Sequence, residues 1–147
     1  MTEHKAVARP GSIKFHAVLL KELHFDAREA VFGAPGTVTG DVGVTLRVEL
    51  SEDKLSATVT LDVRLQPQDT KRFHELRVVV DGAFEGSAET KGLLEEFATK
   101  QGPSLLFPFV REIIANVTAR SAGGAILLPP LNLYDAVAQK ASAASDQ

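Results

Sequence analysis

GPSLLFPFVREIIANVTARSAGGAILLPPLNLY, residues 102–134, is the stretch that decides the fold. Leu106, Phe109, Val110, Ile113, Ile114 and Val117 recur at spacings of three and four, the period of one helical face. Pro103 and Pro108 then belong at or near a first turn, where a missing N–H costs little because that donor has no intrahelical acceptor. Ser104 suits the N-cap, and Gly123 with Gly124 suits the end, since glycine takes the left-handed geometry that other residues resist. Ala125 to Leu133 follows as an apolar run broken by Pro129 and Pro130. Two adjacent prolines exclude helix and impose an extended path. A greasy, extended crossover between two helices needs something apolar beside it.

Upstream the period is two. Residues 13–25 read as a first strand, on which Ile13, Phe15, Ala17 and Leu19 alternate with Lys14, His16 and Val18. The alternation slips before Leu20, Leu23 and Phe25, which predicts a bulge or bend. Pro35-Gly36 predicts a tight turn in the connection that follows. Val42, Val44, Leu46, Val48 and Leu50 make one strand, and Leu55 to Leu65 makes the next, with the hairpin loop SEDK (Ser51 to Lys54) between them. Leu76, Val78, Val80 and Phe84 make a fourth. The four together predict an antiparallel meander with one apolar and one mixed face. From Ser87 to Lys100 the period turns helical, with Leu93, Leu94 and Phe97 as a narrow stripe. Strands first and helices last predicts an α+β fold: a four-stranded antiparallel sheet, two main helices and a short C-terminal helix from Leu131 to about Ala141. KASAASDQ, about 140–147, reads as a disordered tail.

Composition bounds the function. A chain of 147 residues with 44% hydrophobic and 24% charged residues suits a single domain, 1–147, with one core. A net charge of −3 argues against nucleic acid, which needs clustered Lys and Arg. The absence of cysteine excludes disulfides and thiolate zinc sites. No apolar run reaches the roughly 18–20 residues of a membrane span, and MTEHKAVARPGS has no signal core. A cytoplasmic location is the expectation.

Catalytic patterns are lacking. His4, His16, His24 and His74 form no HxH or HxxxH pair, so no metal is expected. Gly36, Gly40 and Gly43 do not fit GxGxxG, and neither a phosphate loop nor GxSxG occurs. Asn116-Val117-Thr118 is a glycosylation sequon by chance, because it falls within a predicted helix. The chain reads as a binding protein rather than an enzyme, with an excess of apolar surface that suits association and an open groove.

The motifs also carry a family likeness. LFPFVRE, then Arg120, a glycine turn and LLPPLNLYDAV resemble the C-terminal half of the SecB protein-export chaperones. The matching residues are Leu106, Phe107, Pro108, Phe109, Arg111, Glu112, Arg120, Pro130 and Asn132. DGAFEG (Asp81 to Gly86) and, more loosely, IKFHAVLLKELHFDA extend the likeness over nearly the whole chain. It implies a homotetramer, built as a dimer of dimers, that holds unfolded preproteins in long grooves without nucleotide or other cofactor and hands them to the SecA motor. Carried over residue by residue, it implies client contacts at Val44, Leu46, Leu133 and Val137, with Phe109 added from the central helix. Leu133 and Val137 are aliphatic where the family favours aromatics. The likeness also implies an acidic SecA-binding surface at Glu22, Asp26, Glu75 and Arg77. The family pattern has leucine and glutamate at the last two, so Arg77 inverts a charge and would oppose a basic partner tail. Three readings stand: an export chaperone delivering to SecA, a dedicated SecB-like chaperone for one partner such as an antitoxin, and an enzyme or ligand carrier on the same scaffold.

Overall fold

A computed structural model describes residues 12–129. Four strands form one antiparallel sheet: β1 (Lys14–Asp26), β2 (Gly40–Leu50), β3 (Ser56–Pro67) and β4 (Glu75–Glu85). The spatial order is β1-β4-β3-β2, so the predicted meander holds only for β2, β3 and β4. β1 lies beyond β4, which makes a Greek-key arrangement; the connection through residues 27–39 is long enough to cross the end of the sheet. Its tight turns are at Ala27 to Ala30 and at Val31 to Ala34, where the Ala30 and Ala34 N–H groups donate to the Ala27 and Val31 carbonyls and Gly33 has φ 79°, rather than at Pro35-Gly36. The slip read in β1 corresponds to two register shifts against β4, between Phe15 and Ala17 and between Leu20 and Glu22.

Alternation sorts the two faces. Val59, Leu61 and Val63 of β3 and Leu76, Val78, Val80 and Phe84 of β4 are buried, while Thr60, Asp62, Arg77 and Asp81 point to the other side. After a 3-10 turn (Ala88–Thr90), one helix among the described residues, α1 (Leu94–Thr118), lies over the apolar face.

That helix corrects the expectation of two. Leu94 to Thr118 runs unbroken through Gly102, Pro103 and Pro108, and Ser104 is interior rather than a cap. Seven of its buried residues, Leu94, Ala98, Gly102, Leu106, Val110, Ile114 and Thr118, fall every four positions, with Pro103 and Phe107 buried beside them. A spacing of four overshoots a helical turn by about 40°, so the buried stripe winds around the helix and its two halves seem out of phase in sequence. Each proline removes one ladder bond, to the carbonyls of Thr99 and Ser104, and both of these residues are exposed. Close approach to the sheet uses glycine. A Cβ on Gly82 would come 2.6 Å from Leu106 Cδ2, and one on Gly102 would come 3.2 Å from both Val59 methyls. The helix ends at Thr118, ahead of Gly123 and Gly124, which take φ 87° and 84°. The expected final helix and tail, with Leu133 and Val137, lie outside the described residues.

Candidate functional site

On the β2 side of α1 the chain returns as an extended segment, residues 125–129. Two side chains of the helix hold it. Thr118 Oγ1 accepts from the Ile126 N–H at 2.8 Å, and Arg111 Nε donates to the Leu128 carbonyl at 2.7 Å. The segment therefore runs back along the C-terminal half of α1. Leu128 is buried between helix and sheet, while Leu127 is 73% exposed. Ile126 and Leu128, with Val38, Val42 and Leu65, line a cleft at the start of β2, and Val42 is 46% exposed there. The crossover thus forms one wall of an apolar trough.

A buried arginine fixes where this segment departs. Arg72, in the β3–β4 loop, is only 3% exposed. Its guanidinium donates to the carbonyls of Ala122 (2.8 Å), Gly36 (2.7 Å) and Gly124, tying the turn after α1 to the loop before β2. Burial lowers its pKa. Gly123 is required beside it, because a Cβ there would lie 2.5 Å from Arg72 Nε.

Of the expected client-contacting residues, Val44, Leu46 and Phe109 lie among the described ones, and Phe109 is apart from the other two. Val44 is 7% exposed and belongs to the core; Leu46 is half-buried beside it on the same face of β2. Phe109 is 41% exposed but sits over the opposite edge, edge-on to Phe15 of β1 with ring centroids 6.3 Å apart. Sequence reasoning missed Phe32, which is fully exposed next to a hollow lined by Phe25, Val31 and Arg120, and the exposed Leu19, Leu20 and Leu23 of β1. The slipping alternation of β1 was the available signal for the leucines. Phe32 gave none within a turn-rich loop.

The outer face of the sheet gathers the expected acidic residues and pairs them. Arg77 Nη1 meets Glu22 Oε1 at 2.8 Å, while its Nη2 and Nε grip Asp62 at 2.7 and 3.1 Å. These carboxylates raise the arginine's pKa, Asp62 most through its hydrogen bonds. Glu75 lies 3.3 Å from Arg64 Nε and 3.9 Å from His24 Nε2. Asp26 is gripped by its neighbour Arg28 at 2.9 and 3.0 Å, and these bonds hold its pKa down at about 2. Glu22, Asp26 and Glu75 are therefore all satisfied within the chain.

Among the described residues no cluster of His, Cys, Asp or Glu is placed to hold a metal ion, and no helix is long and apolar enough to cross a membrane. The chain is 25% identical over 139 residues to a protein-export protein SecB of Ruegeria pomeroyi, covering 90% of this chain and 81% of that one. It is 25% identical over 126 residues to an uncharacterized protein of Methanocaldococcus jannaschii, covering 83% and 80%. Its fold matches a Mycobacterium tuberculosis SecB-like chaperone, solved in complex with a peptide of the HigA1 antitoxin, with TM-score 0.63, 20% identity, and 81% and 87% of the two chains covered. The family model described as preprotein translocase subunit SecB matches residues 6–144, and the chain belongs to the SecB family.

Proposed function

We propose that this protein is an ATP-independent chaperone that holds an unfolded polypeptide, and that it serves a dedicated partner rather than the SecA motor. The observation that supports the holding role is the apolar cleft that Ile126 and Leu128 form with Val38, Val42 and Leu65, where Val42 is open to solvent. Apolar contact is non-directional and adds up at roughly 25 cal/mol per Å² buried, so it accepts many sequences. Neither nucleotide nor metal enters this account, and no step of it is catalytic.

Charge argues for the dedicated partner. A basic tail seeking Glu22, Asp26 or Glu75 meets carboxylates already matched by Arg77, Arg28 and Arg64. Competing for them costs both affinity and association rate. The M. tuberculosis chaperone, bound to an antitoxin peptide, offers a model for such a partner. Delivery to SecA in the cytoplasm is the second reading, favoured by the export protein of R. pomeroyi. Assembly as a dimer of dimers would cover the exposed Leu19, Leu20 and Leu23, and light scattering should then report about four times 15.8 kDa.

Two measurements test the proposal. The protein should suppress aggregation of a chemically unfolded substrate without ATP; failure to do so at excess chaperone rejects the holding role. A synthetic basic tail of the motor should bind Arg77→Gln more tightly than the parent chain. Tight, equal binding to both would restore the export reading.

A further inference from the structure

Two turns of the same build meet at one hollow. Val31 to Ala34, before β2, and Ser121 to Gly124, after α1, are each closed by a backbone bond from the fourth N–H to the first carbonyl, at 3.3 and 3.4 Å. Glycine takes the third place in both, Gly33 with φ 79° and Gly123 with φ 87°. The second residues, Phe32 and Ala122, line a hollow of about 470 Å³ together with Phe25, Val31, Arg120 and Ser121. Among the described residues the Phe32 and Ala122 N–H groups meet no acceptor. The charges around them favour an anion. Arg120 spends Nη1 on the Asn116 carbonyl (3.1 Å) and side chain (2.8 Å), and its Nε and Nη2 find no acceptor among the described residues. Behind Ala122 stands the buried Arg72, bonded to the Ala122 carbonyl at 2.8 Å and, among the described residues, to carbonyls and no carboxylate. Asp26, next to Phe25, is gripped by Arg28, and Glu29 does not line the hollow.

We propose that this hollow captures the free C-terminus of a partner polypeptide ending in a large apolar residue. The α-carboxylate meets Arg120 and the two turn amides, and the last side chain packs on Phe25, Val31 and Phe32. A carboxylate and an apolar side chain share one α-carbon only at a chain end. In an extended internal segment neighbouring side chains point to opposite faces, so an acidic and an apolar neighbour cannot enter together. A carboxylate also accepts at several lone pairs at once, as converging donors require. Phe32, fully exposed among the described residues, calls for an occupant larger than the hollow, since a small acid inside would leave the outer ring face wet. The hollow shares no lining residue with the cleft beside β2, so the inference does not rest on the holding role.

The test titrates isotopically labelled full chain, by NMR, with a glycine-serine peptide ending in leucine-serine-leucine, up to about 1 mM. It is made with a free acid end and with an amidated end. The acid should bind about tenfold or more tighter than the amide and shift the Phe32 and Ala122 amide signals. Arg120→Gln should remove most of that preference, and Phe32→Ser should weaken the acid. Equal binding of acid and amide, or binding by neither, overturns the proposal. So does an acid that binds both variants as it binds the parent chain. An amidated peptide with an internal aspartate beside leucine that binds as tightly as the acid overturns the chain end; N-acetyl-leucine binding as tightly overturns the polypeptide partner in favour of a small acid. Two further results would give the hollow to this protein itself and overturn a foreign partner. One is a changed mass of the free assembly in Phe32→Ser, by light scattering, which marks a second copy. The other is broadening of the Phe32 signal by a spin label at Ser145→Cys, unique in a chain without cysteine, which marks the chain's own end.

Discussion

Asp26, expected from the family likeness to be an acidic contact for a partner, is already paired with Arg28 within the chain. Its carboxylate is held down at about 2, from an ordinary 3.8, chiefly by the side-chain hydrogen bonds from Arg28. A depressed carboxylate stabilises the fold above its unfolded pKa, and that contribution is lost as pH falls from 3.8 towards 2. NMR titration should place Asp26 near the lower value, and Arg28→Ala should return it towards the upper one; an unchanged titration in the variant would show that the pair is not the cause. Arg77 acts more broadly, since it joins Glu22 of β1 to Asp62 of β3 across β4. Arg77→Gln should lower stability slightly, as loss of a partly exposed pair does, measured by denaturant unfolding; an unchanged midpoint would show that the pairs contribute nothing. The inversion of charge at Arg77 was legible in sequence, but its partners were not. They depend on β1 lying next to β4, which no local pattern encodes.

At the scale of elements, strand positions were legible because a period of two leaves one reading for Val42 to Leu50 or for Ala57 to Leu65. The helix was not, and for a physical reason. Gly102, Pro103 and Pro108 look like punctuation, yet burial every four residues lets α1 wind its contact stripe past them. Glycine here serves packing rather than termination. Gly102→Val would force methyl groups onto Val59 and should cost about 1–3 kcal/mol, whereas Ser104→Ala, at an exposed interior position, should be nearly neutral. Were Ser104→Ala the more damaging of the two, the continuous helix would be the wrong account. The crossover shows the complementary case. Its extended path was evident from Pro129 and Pro130, but the clasp that aims it, Arg72 on three carbonyls, came from a loop with no apolar period.

At the scale of the molecule, the described residues cover the sheet over β3 and β4 and leave it partly open at both edges. Leu20 and Leu23 of β1 and Val42 of β2 share the helix-facing side yet remain exposed. Among the described residues one helix lies over the sheet and leaves these side chains uncovered, and the proposed function assigns that apolar surface to other copies and to a bound chain. Val44 and Phe109, expected to act together, lie on opposite sides of the helix, because topology and not sequence distance sets which edge each residue joins. The central claim is that an unfolded polypeptide occupies this surface without nucleotide. Calorimetric titration of reduced, carboxymethylated lactalbumin into the full chain, at several temperatures and without ATP, tests it most directly. Saturable binding with a negative heat-capacity change, the mark of apolar burial, is the predicted result; no binding at any temperature would contradict the account.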